Sequence, residues 1–517
     1  MKPEQFSYDT LPYPSKFFVQ TFPDRLAANA VIFGMDPPPP NNSRVLELGC
    51  GNGSNLIAQA YLMPDAGFVG VDLSRVHIDD AKASAAELGL ENVEFRQMDV
   101  TEMSVGDFGT FDYITAHGLF SWVPEFVRKR VLALYAELLN PNGVGYISYV
   151  VYPGAYLRRG AQGAMRFSSR GIAEPEAKVS RSLSFLKFLT ENTTDKSSFN
   201  RSLVDELNRH RSHTASDIFH DDLSELNTPF YFHEFVEMLS ANGLQFLAEA
   251  ELHAMGASDL PAKAREFISS LDDVLEREQY LDLLRGRSFR QTLFCRAEVS
   301  LNRTPGPEVL NELRLSSSLR PKREGPEIAS DRVEKFVGTG GVGIEIDRPL
   351  VKAMLVYLGS VWPRSVPFPE LVEEGKRMLA ASVHELADAA KEEEIARVVF
   401  LQIAMASRMV ELHTFQADRA AAAGEMPRLN PLARMQMRSA EHIVTGLGID
   451  MKIEDEVSRR LLELLDGTRT RNTLFDEIGK FIRSSHEIEG KKELLAGLPE
   501  WLDESLAELA KIGVFEA

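Results

Sequence analysis

The residues best equipped for chemistry lie in one run, Arg44-Val45-Leu46-Glu47-Leu48-Gly49-Cys50-Gly51-Asn52-Gly53-Ser54-Asn55-Leu56. An apolar stretch (Val45, Leu46, Leu48) meets alternating glycines and then the apolar-periodic segment Leu56 to Leu62, which is the pattern of a buried strand, a tight turn and a helix. Such a turn lets backbone approach a ligand closely. Dinucleotides call for G-x-G-x-x-G, whereas here the third position is Ser54 and Glu47 stands beside the turn. Like charges repel at short range, so that carboxylate is a poor neighbour for a pyrophosphate and a good one for a cation. S-adenosylmethionine carries a sulfonium and an amino group and no phosphate. It fits the run.

Two further acids sit where the next strands should end. Gly67-Phe68-Val69-Gly70-Val71-Asp72 reads as a second strand, closed by an acid about twenty residues after the turn, where a ribose-binding carboxylate belongs. Asn92 to Gln97 reads as a third, followed by Met98-Asp99-Val100. Glu47 with its glycines, then Val71-Asp72-Leu73-Ser74, then Asp99 resemble the class I S-adenosylmethionine-dependent methyltransferases. The resemblance implies that Gly49 to Gly53 takes the methionine part, Asp72 the ribose hydroxyls and Asp99 the adenine amine. It implies a cofactor site of Glu47, Gly49, Cys50, Gly51, Gly53, Asn55, Asp72, Leu73, Met98, Asp99, Val100, His117 and Phe120, and no metal.

These residues need a sheet to bring them together. A fourth strand, Phe111 to Ala116, runs into His117-Gly118-Leu119-Phe120-Ser121-Trp122-Val123-Pro124. Pro124 suits a first helical position, with Glu125 at the positive helix end, and Asn140-Pro141-Asn142-Gly143 should stop that helix. A fifth strand, Val144 to Val150, closes into Tyr152-Pro153-Gly154. Alternation of this kind predicts a parallel, doubly wound sheet with ligands at the carboxyl ends of its strands. The glycine turn, Asp72, Asp99, His117 and Tyr152 all fall there. Residues 155–228 read as a helical cap insertion. In it, His210, His213 and His220 with Asp221 and Asp222 match no standard metal spacing and read as solvated helix and loop. The helix Tyr231 to Ser240 and the strands Leu244 to Ala250 and Ser288 to Arg296 then finish the sheet.

The expected fold class is α/β: a Rossmann-like doubly wound class I methyltransferase sheet with helical insertions, plus a mostly α, winged-helix-like C-terminal domain. Residues 1–300 are expected as the catalytic domain, 301–330 as a linker rich in Pro and Ser, and 331–517 as the helical domain. Gly338 to Gly343 imitates a second nucleotide loop, but no helix opens after it, so it reads as a hairpin turn. Helices are expected at Ile395 to His413 and Pro499 to Ile512 among others.

Enzymes that methylate planar nitrogens carry Asn/Asp-Pro-Pro-Tyr after the fourth strand; here Ala116-His117-Gly118-Leu119-Phe120 stands instead. That stretch, with Ser148 to Gly154, Leu11-Pro12-Tyr13-Pro14-Ser15 and His220-Asp221-Asp222-Leu223, resembles a narrower group. It is similar to the bacterial methyltransferases with a methyltransferase regulatory domain, placed here at 215–300, which include the rickettsial outer-membrane-protein lysine methyltransferases. The family's Asn-Thr-Tyr-Pro-Gly-Trp is here Val150-Val151-Tyr152-Pro153-Gly154-Ala155, a departure that bears on the substrate and not on the cofactor. The resemblance implies a protein substrate methylated on lysine nitrogen. His117 is the candidate base or orienter, and Tyr13 and Tyr152 are candidate pocket hydroxyls. A small-molecule O- or N-methyltransferase and a non-catalytic sensor of the cofactor are the alternatives.

Composition narrows the partners. With 57 Lys and Arg against 76 Asp and Glu the net charge is -19, which argues against a nucleic-acid groove. Cys50 and Cys295 make no disulfide framework and suggest a reducing cytoplasm. No stretch stays apolar for the roughly 18 residues of a membrane span. The oligomeric state stays open, a homodimer included.

Overall fold

A computed structural model describes residue 11 and residues 16–193, 198–338, 341–382, 388–417, 423–438, 442–453, 455–485 and 488–516. Its centre is a seven-stranded sheet of order β3-β2-β1-β4-β5-β7-β6. The strands are β1 (Arg44–Leu48), β2 (Gly67–Asp72), β3 (Val93–Gln97), β4 (Phe111–Ala116), β5 (Leu139–Val150), β6 (Leu244–Glu249) and β7 (Phe289–Arg296). Neighbours pair in parallel from β3 to β5, and β7 runs antiparallel to both β5 and β6. The strand order reverses at β1, which lies between β2 and β4, so the glycine turn after β1 opens at the switch point.

Side-chain alternation gives the sheet two buried faces. Val45, Tyr113, Val144 and Tyr146 enter one core with the helices Pro23–Ile32 and Ser54–Leu62. Leu46, Ile114, Ile147 and Tyr149 enter the other with the helix Glu125–Leu138. That helix starts one residue later than expected, with Pro124 as its N-cap, and β5 begins at Leu139, so Asn140 to Gly143 is strand rather than helix stop.

After β5 the chain leaves the sheet. Helices Gly154–Ser168, Pro175–Asn192, Ser198–Arg209 and Ala215–Asp221 enclose a small core of their own that includes Met165, Leu186, Leu203 and Ile218. Residues 301–330, expected as a linker, are instead packed. Leu310, Leu313, Leu315 and Leu319 are buried in the main core, and the strand Arg314–Ser316 pairs with Val366–Pro367 and Glu411–His413. The expected helix to His413 therefore ends at Ala406, because Glu411 to His413 is needed as a strand. The strands Glu334–Val337 and Gly343–Ile346 pair antiparallel, the hairpin the glycines suggested. The C-terminal end has a separate core, built from the helices Glu456–Leu464, Arg471–Ser484 and Lys491–Lys511 beside a small hairpin of His442–Val444 and Asp450–Lys452. Among the described residues no helix is long and apolar enough to cross a membrane.

The N-terminal helix ties this second half to the first. The Asp24 carboxylate accepts from the backbone N–H of Thr414 (2.6 Å) and Phe415 (2.7 Å) and from His413 Nδ1 (2.7 Å).

Candidate active site

The turn after β1 uses each glycine differently. Gly49, Gly51 and Gly53 all take positive φ, at 75°, 53° and 73°. A Cβ at Gly53 would meet the Phe95 ring at 2.7 Å and Ala81 at 2.9 Å, so this glycine lets the helix Ser54–Leu62 close on the sheet. A Cβ at Gly51 would meet nothing within 4 Å. Its backbone therefore faces open space, as a ligand cradle requires.

Glu47, at 3% exposure, is buried beside that turn. Its Oε1 accepts from Asn55 Nδ2 at 3.0 Å, while Oε2 is buried and has no hydrogen-bond partner among the described residues. Burial pushes the carboxyl up to about 8; the Asn55 hydrogen bond opposes the shift and Asp72 adds to it. A buried acid with one unsatisfied oxygen and no cation of its own is costly unless something cationic arrives.

The two other acids stand at the same edge. Asp72 accepts from the Gly51 N–H (2.9 Å) and the Ser74 N–H (2.8 Å), so it also pins the glycine turn. Burial raises its carboxyl against those hydrogen bonds. Asp99 accepts from the Thr101 N–H (2.9 Å) and Oγ1 (2.7 Å). Between them Leu73 is 46% exposed, an apolar surface at the strand ends, and Met98 and Val100 pack partly into the core behind.

His117, just past β4, shares a 2.7 Å hydrogen bond between Nδ1 and Tyr146 Oη and stacks on Phe18 with ring centroids 3.9 Å apart. Burial, and then the nearby Lys16 charge, hold its pKa down to about 3. An imidazole with so little affinity for a proton is neutral at physiological pH, and its Nδ1 is held by Tyr146.

Two expected residues turn their side chains into the core. Phe120 is fully buried, packed on Tyr149, Phe230 and Phe235. The Cys50 side chain also turns into the core, its thiol pushed well up by burial. Tyr152 lies in a surface column of rings, stacked on Tyr156 (4.1 Å) and tilted against Tyr231 (5.2 Å). Tyr13 falls outside the described residues.

What the sequence did not signal is how the segment before β1 reaches this edge through residues 16–21. The Phe18 N–H donates to Asn55 Oδ1 (3.0 Å), and Thr21 Oγ1 accepts from Asn55 (3.0 Å) and Gln59 (3.2 Å). Lys16 Nζ donates to Asp217 Oδ1 of the insertion at 2.7 Å. Two histidines of the insertion, His210 and His220, are also not solvated as expected. Glu206, His210 and Asp222 are buried, with Arg209 reaching both carboxylates (2.6 and 2.7 Å) and Arg158 reaching Asp222 (2.8 Å). Two guanidiniums already balance the two acids, which makes this a buried ion-pair network. His220 is buried too and donates to Leu11 O at 2.6 Å.

Three family models match along the chain: a methyltransferase domain over residues 40–205, a predicted methyltransferase regulatory domain over 214–296, and the C-terminal winged helix domain of PKMT over 425–514. An uncharacterised protein of Rickettsia prowazekii, RP789, is 32% identical over 378 residues, covering 72% of this chain and 68% of the relative. The chain belongs to the regulatory-domain class I methyltransferases. A second protein of that organism, RP028, is 34% identical over 94% of its length. Among solved structures, PKMT2 from Rickettsia typhi in complex with AdoHcy superimposes with a TM-score of 0.84, at 25% identity, over 98% of this chain and 100% of that one. The seven-stranded sheet is accordingly the Rossmann-like methyltransferase sheet, and the C-terminal unit is a winged helix. S-adenosylmethionine is the cofactor this family uses. The unsatisfied Glu47 Oε2 and the open face of Gly51 are what its cationic amine and its close approach to backbone require.

Proposed function

We propose that this methyltransferase N-methylates lysine side chains of a protein. The observation that carries the reading is the likeness to PKMT2, a rickettsial protein lysine methyltransferase, which extends over nearly the whole chain and so includes the winged helix and the insertion as well as the catalytic sheet. A small acceptor would not call for that much further surface.

The roles we assign are those the family resemblance implies, and the geometry of the edge supports them. Glu47 Oε2 takes the cofactor's amino group, Gly49 to Gly53 leaves room for its methionine part, Asp72 takes the ribose hydroxyls and Asp99 the adenine amine, with Leu73, Met98 and Val100 beside the base. When bound, S-adenosylmethionine supplies a methyl group activated by its sulfonium. Methyl transfer is a displacement, so the protein has only to align the acceptor nitrogen and exclude water. The stacked Phe18 and His117 rings form an apolar wall that lowers the local dielectric. Desolvation there, beside a sulfonium, favours the neutral amine of an incoming lysine. Neutral His117, fixed through Tyr146, orients that amine, and Tyr152 contributes at the rim.

The test is methyl transfer from labelled S-adenosylmethionine into whole lysate of the source cells. Label in discrete protein bands, located on lysine by peptide mass, is expected. Label confined to small molecules would contradict the protein substrate and leave the methyltransferase.

A further inference from the structure

We propose that Asn55 is a positioning residue, which carries the arrival of the cofactor's amino group at Glu47 through to the Phe18 ring on the acceptor side. The inference rests on the acceptor meeting the Phe18–His117 wall, as read above, and not on what the acceptor is. Asn55 is the second residue of the helix Ser54–Leu62 and is buried. Its Nδ2 donates one hydrogen to Glu47 Oε1 and the other to Thr21 Oγ1, both at 3.0 Å, and its Oδ1 accepts from the Phe18 N–H at 3.0 Å. A backbone N–H can only donate, so the amide has one orientation that suits all three partners. Both of its N–H groups are engaged within the chain, and its link to the cofactor runs through Glu47. Thr21, fully buried, completes the network: its hydroxyl donates to Phe18 O at 2.8 Å and accepts from Asn55 and from Gln59 Nε2 at 3.2 Å. Phe18 is therefore held at its N–H by Asn55 and at its carbonyl by Thr21. Its ring lies on His117 with centroids 3.9 Å apart, and His117 is bonded in turn to Tyr146 at 2.7 Å. The network has a partner at each step from Phe18 and Thr21 back to Glu47 Oε1, while Glu47 Oε2 at its root has none among the described residues. A network serving packing alone has no reason to leave a buried carboxyl oxygen unpartnered there.

The coupling is electrostatic. Without a cation, burial keeps Glu47 protonated at neutral pH, and Asn55 donates to a neutral carboxyl. An ammonium at Oε2 makes Glu47 a carboxylate, its proton leaving to solvent. The Asn55 bond is then charge-assisted, which about doubles its strength. An amide that donates more strongly at nitrogen accepts more strongly at oxygen, so the Phe18 N–H is gripped harder and the ring is fixed on His117. The acceptor meets a formed wall only after the cofactor has bound.

Hydrogen exchange of the Phe18 amide tests the relay in the unaltered full chain. S-adenosylhomocysteine carries the amino group, whereas methylthioadenosine keeps the adenosine and the sulfur and lacks it. At saturation, S-adenosylhomocysteine is expected to slow Phe18 exchange about tenfold beyond methylthioadenosine, the difference between a charged and a neutral hydrogen bond. A second measurement reads transfer. Thr21→Val keeps the volume and removes the hydroxyl, and Thr21→Ser restores it. At saturating S-adenosylmethionine, labelling of lysate protein is expected to fall about tenfold in Thr21→Val and to return in Thr21→Ser. S-adenosylhomocysteine should still bind Thr21→Val in calorimetry, since Glu47 and Asn55 are unchanged. Equal protection of Phe18 by the two ligands, or protection by neither, would overturn the relay, and a Thr21→Val that fails to fold leaves that comparison decisive. Amine-dependent protection with undiminished labelling in Thr21→Val would overturn the part of Asn55 in transfer. Label that enters only small molecules would end the protein-lysine reading, and the Thr21→Val and Thr21→Ser rates on those molecules would then decide the relay.

Discussion

Two groups of buried carboxylates in this protein are treated in opposite ways. Between β6, β7 and the helix Val274–Arg285, the acids Glu249, Glu278 and Asp282 surround Arg290, which is 1% exposed and reaches them at 2.6, 3.0 and 2.9 Å. Thr292 Oγ1 and the Gln291 N–H fill further positions on Glu249. Beside the glycine turn, Glu47 is just as buried, has one amide donor and holds no cation. The first arrangement is complete within the chain and serves the fold. The second is left one cation short, and it is the second that faces an open backbone cradle. On the proposed reading, a buried acid serves a ligand where the chain withholds its partner.

Removing the internal cation should have the largest effect. Arg290→Met takes the central cation from three buried acids, leaving only Arg287 at 3.3 Å from Asp282 and 3.9 Å from Glu278, and should cost about 3–5 kcal/mol, read as a loss of unfolding free energy in urea. A loss under 1 kcal/mol would show the acids to be solvated and break the contrast. Glu47→Gln should do the reverse: unfolding stability is kept or gained, while cofactor affinity in calorimetry falls about 10- to 100-fold, the loss of one charged hydrogen bond.

The glycines sharpen the same distinction at smaller scale. Gly53→Ala drives a methyl group into Phe95 and Ala81, and should lower stability by about 1–3 kcal/mol. Gly51→Ala meets open space, so its cost is about 1 kcal/mol of backbone strain together with reduced cofactor affinity. A Gly51 variant that binds the cofactor like wild type would remove the cradle from the account.

A further effect is in pH. Glu47 has a carboxyl raised from an ordinary 4.5 to about 8, so the folded state holds this proton more tightly than the unfolded chain. Its contribution is present in full below about pH 4.5 and is lost as pH rises to about 8. The cofactor-free melting temperature should fall across that window by a few degrees, and Glu47→Gln should flatten that part of the curve.

Much of this edge was legible in the sequence because it is local. Glu47, the glycines, Asp72 and Asp99 each lie within a few residues of a strand end, and strand periodicity fixes which end they occupy. What stayed hidden depends on contacts distant in sequence. Nothing in residues 16–21 signals that Phe18 will stack on His117, or that Lys16 will meet Asp217 some two hundred positions later. That the Phe120 ring turns into the core was not legible either, because residue type does not say which way a ring turns after a strand. Prolines misled twice as start signals: Pro124 is a cap, and Pro499 lies inside the helix Lys491–Lys511. Composition suggested a linker at 301–330, yet four leucines spaced through it belong to the main core. The His210 cluster looked solvated because Arg158 and Asp222, which close it, come from other helices of the insertion.

The most direct test is the proton balance of cofactor binding. S-adenosylmethionine is titrated near pH 6.5 into wild type and Glu47→Gln, in two buffers of different ionisation enthalpy. Release of close to one proton, about the full occupancy of a group raised to near 8, is predicted for wild type and none from this site for the variant, which should also bind more weakly. Equal affinity and equal proton release in both proteins would mean that Glu47 does not receive the cofactor's cation, and the assignment of this edge would fail.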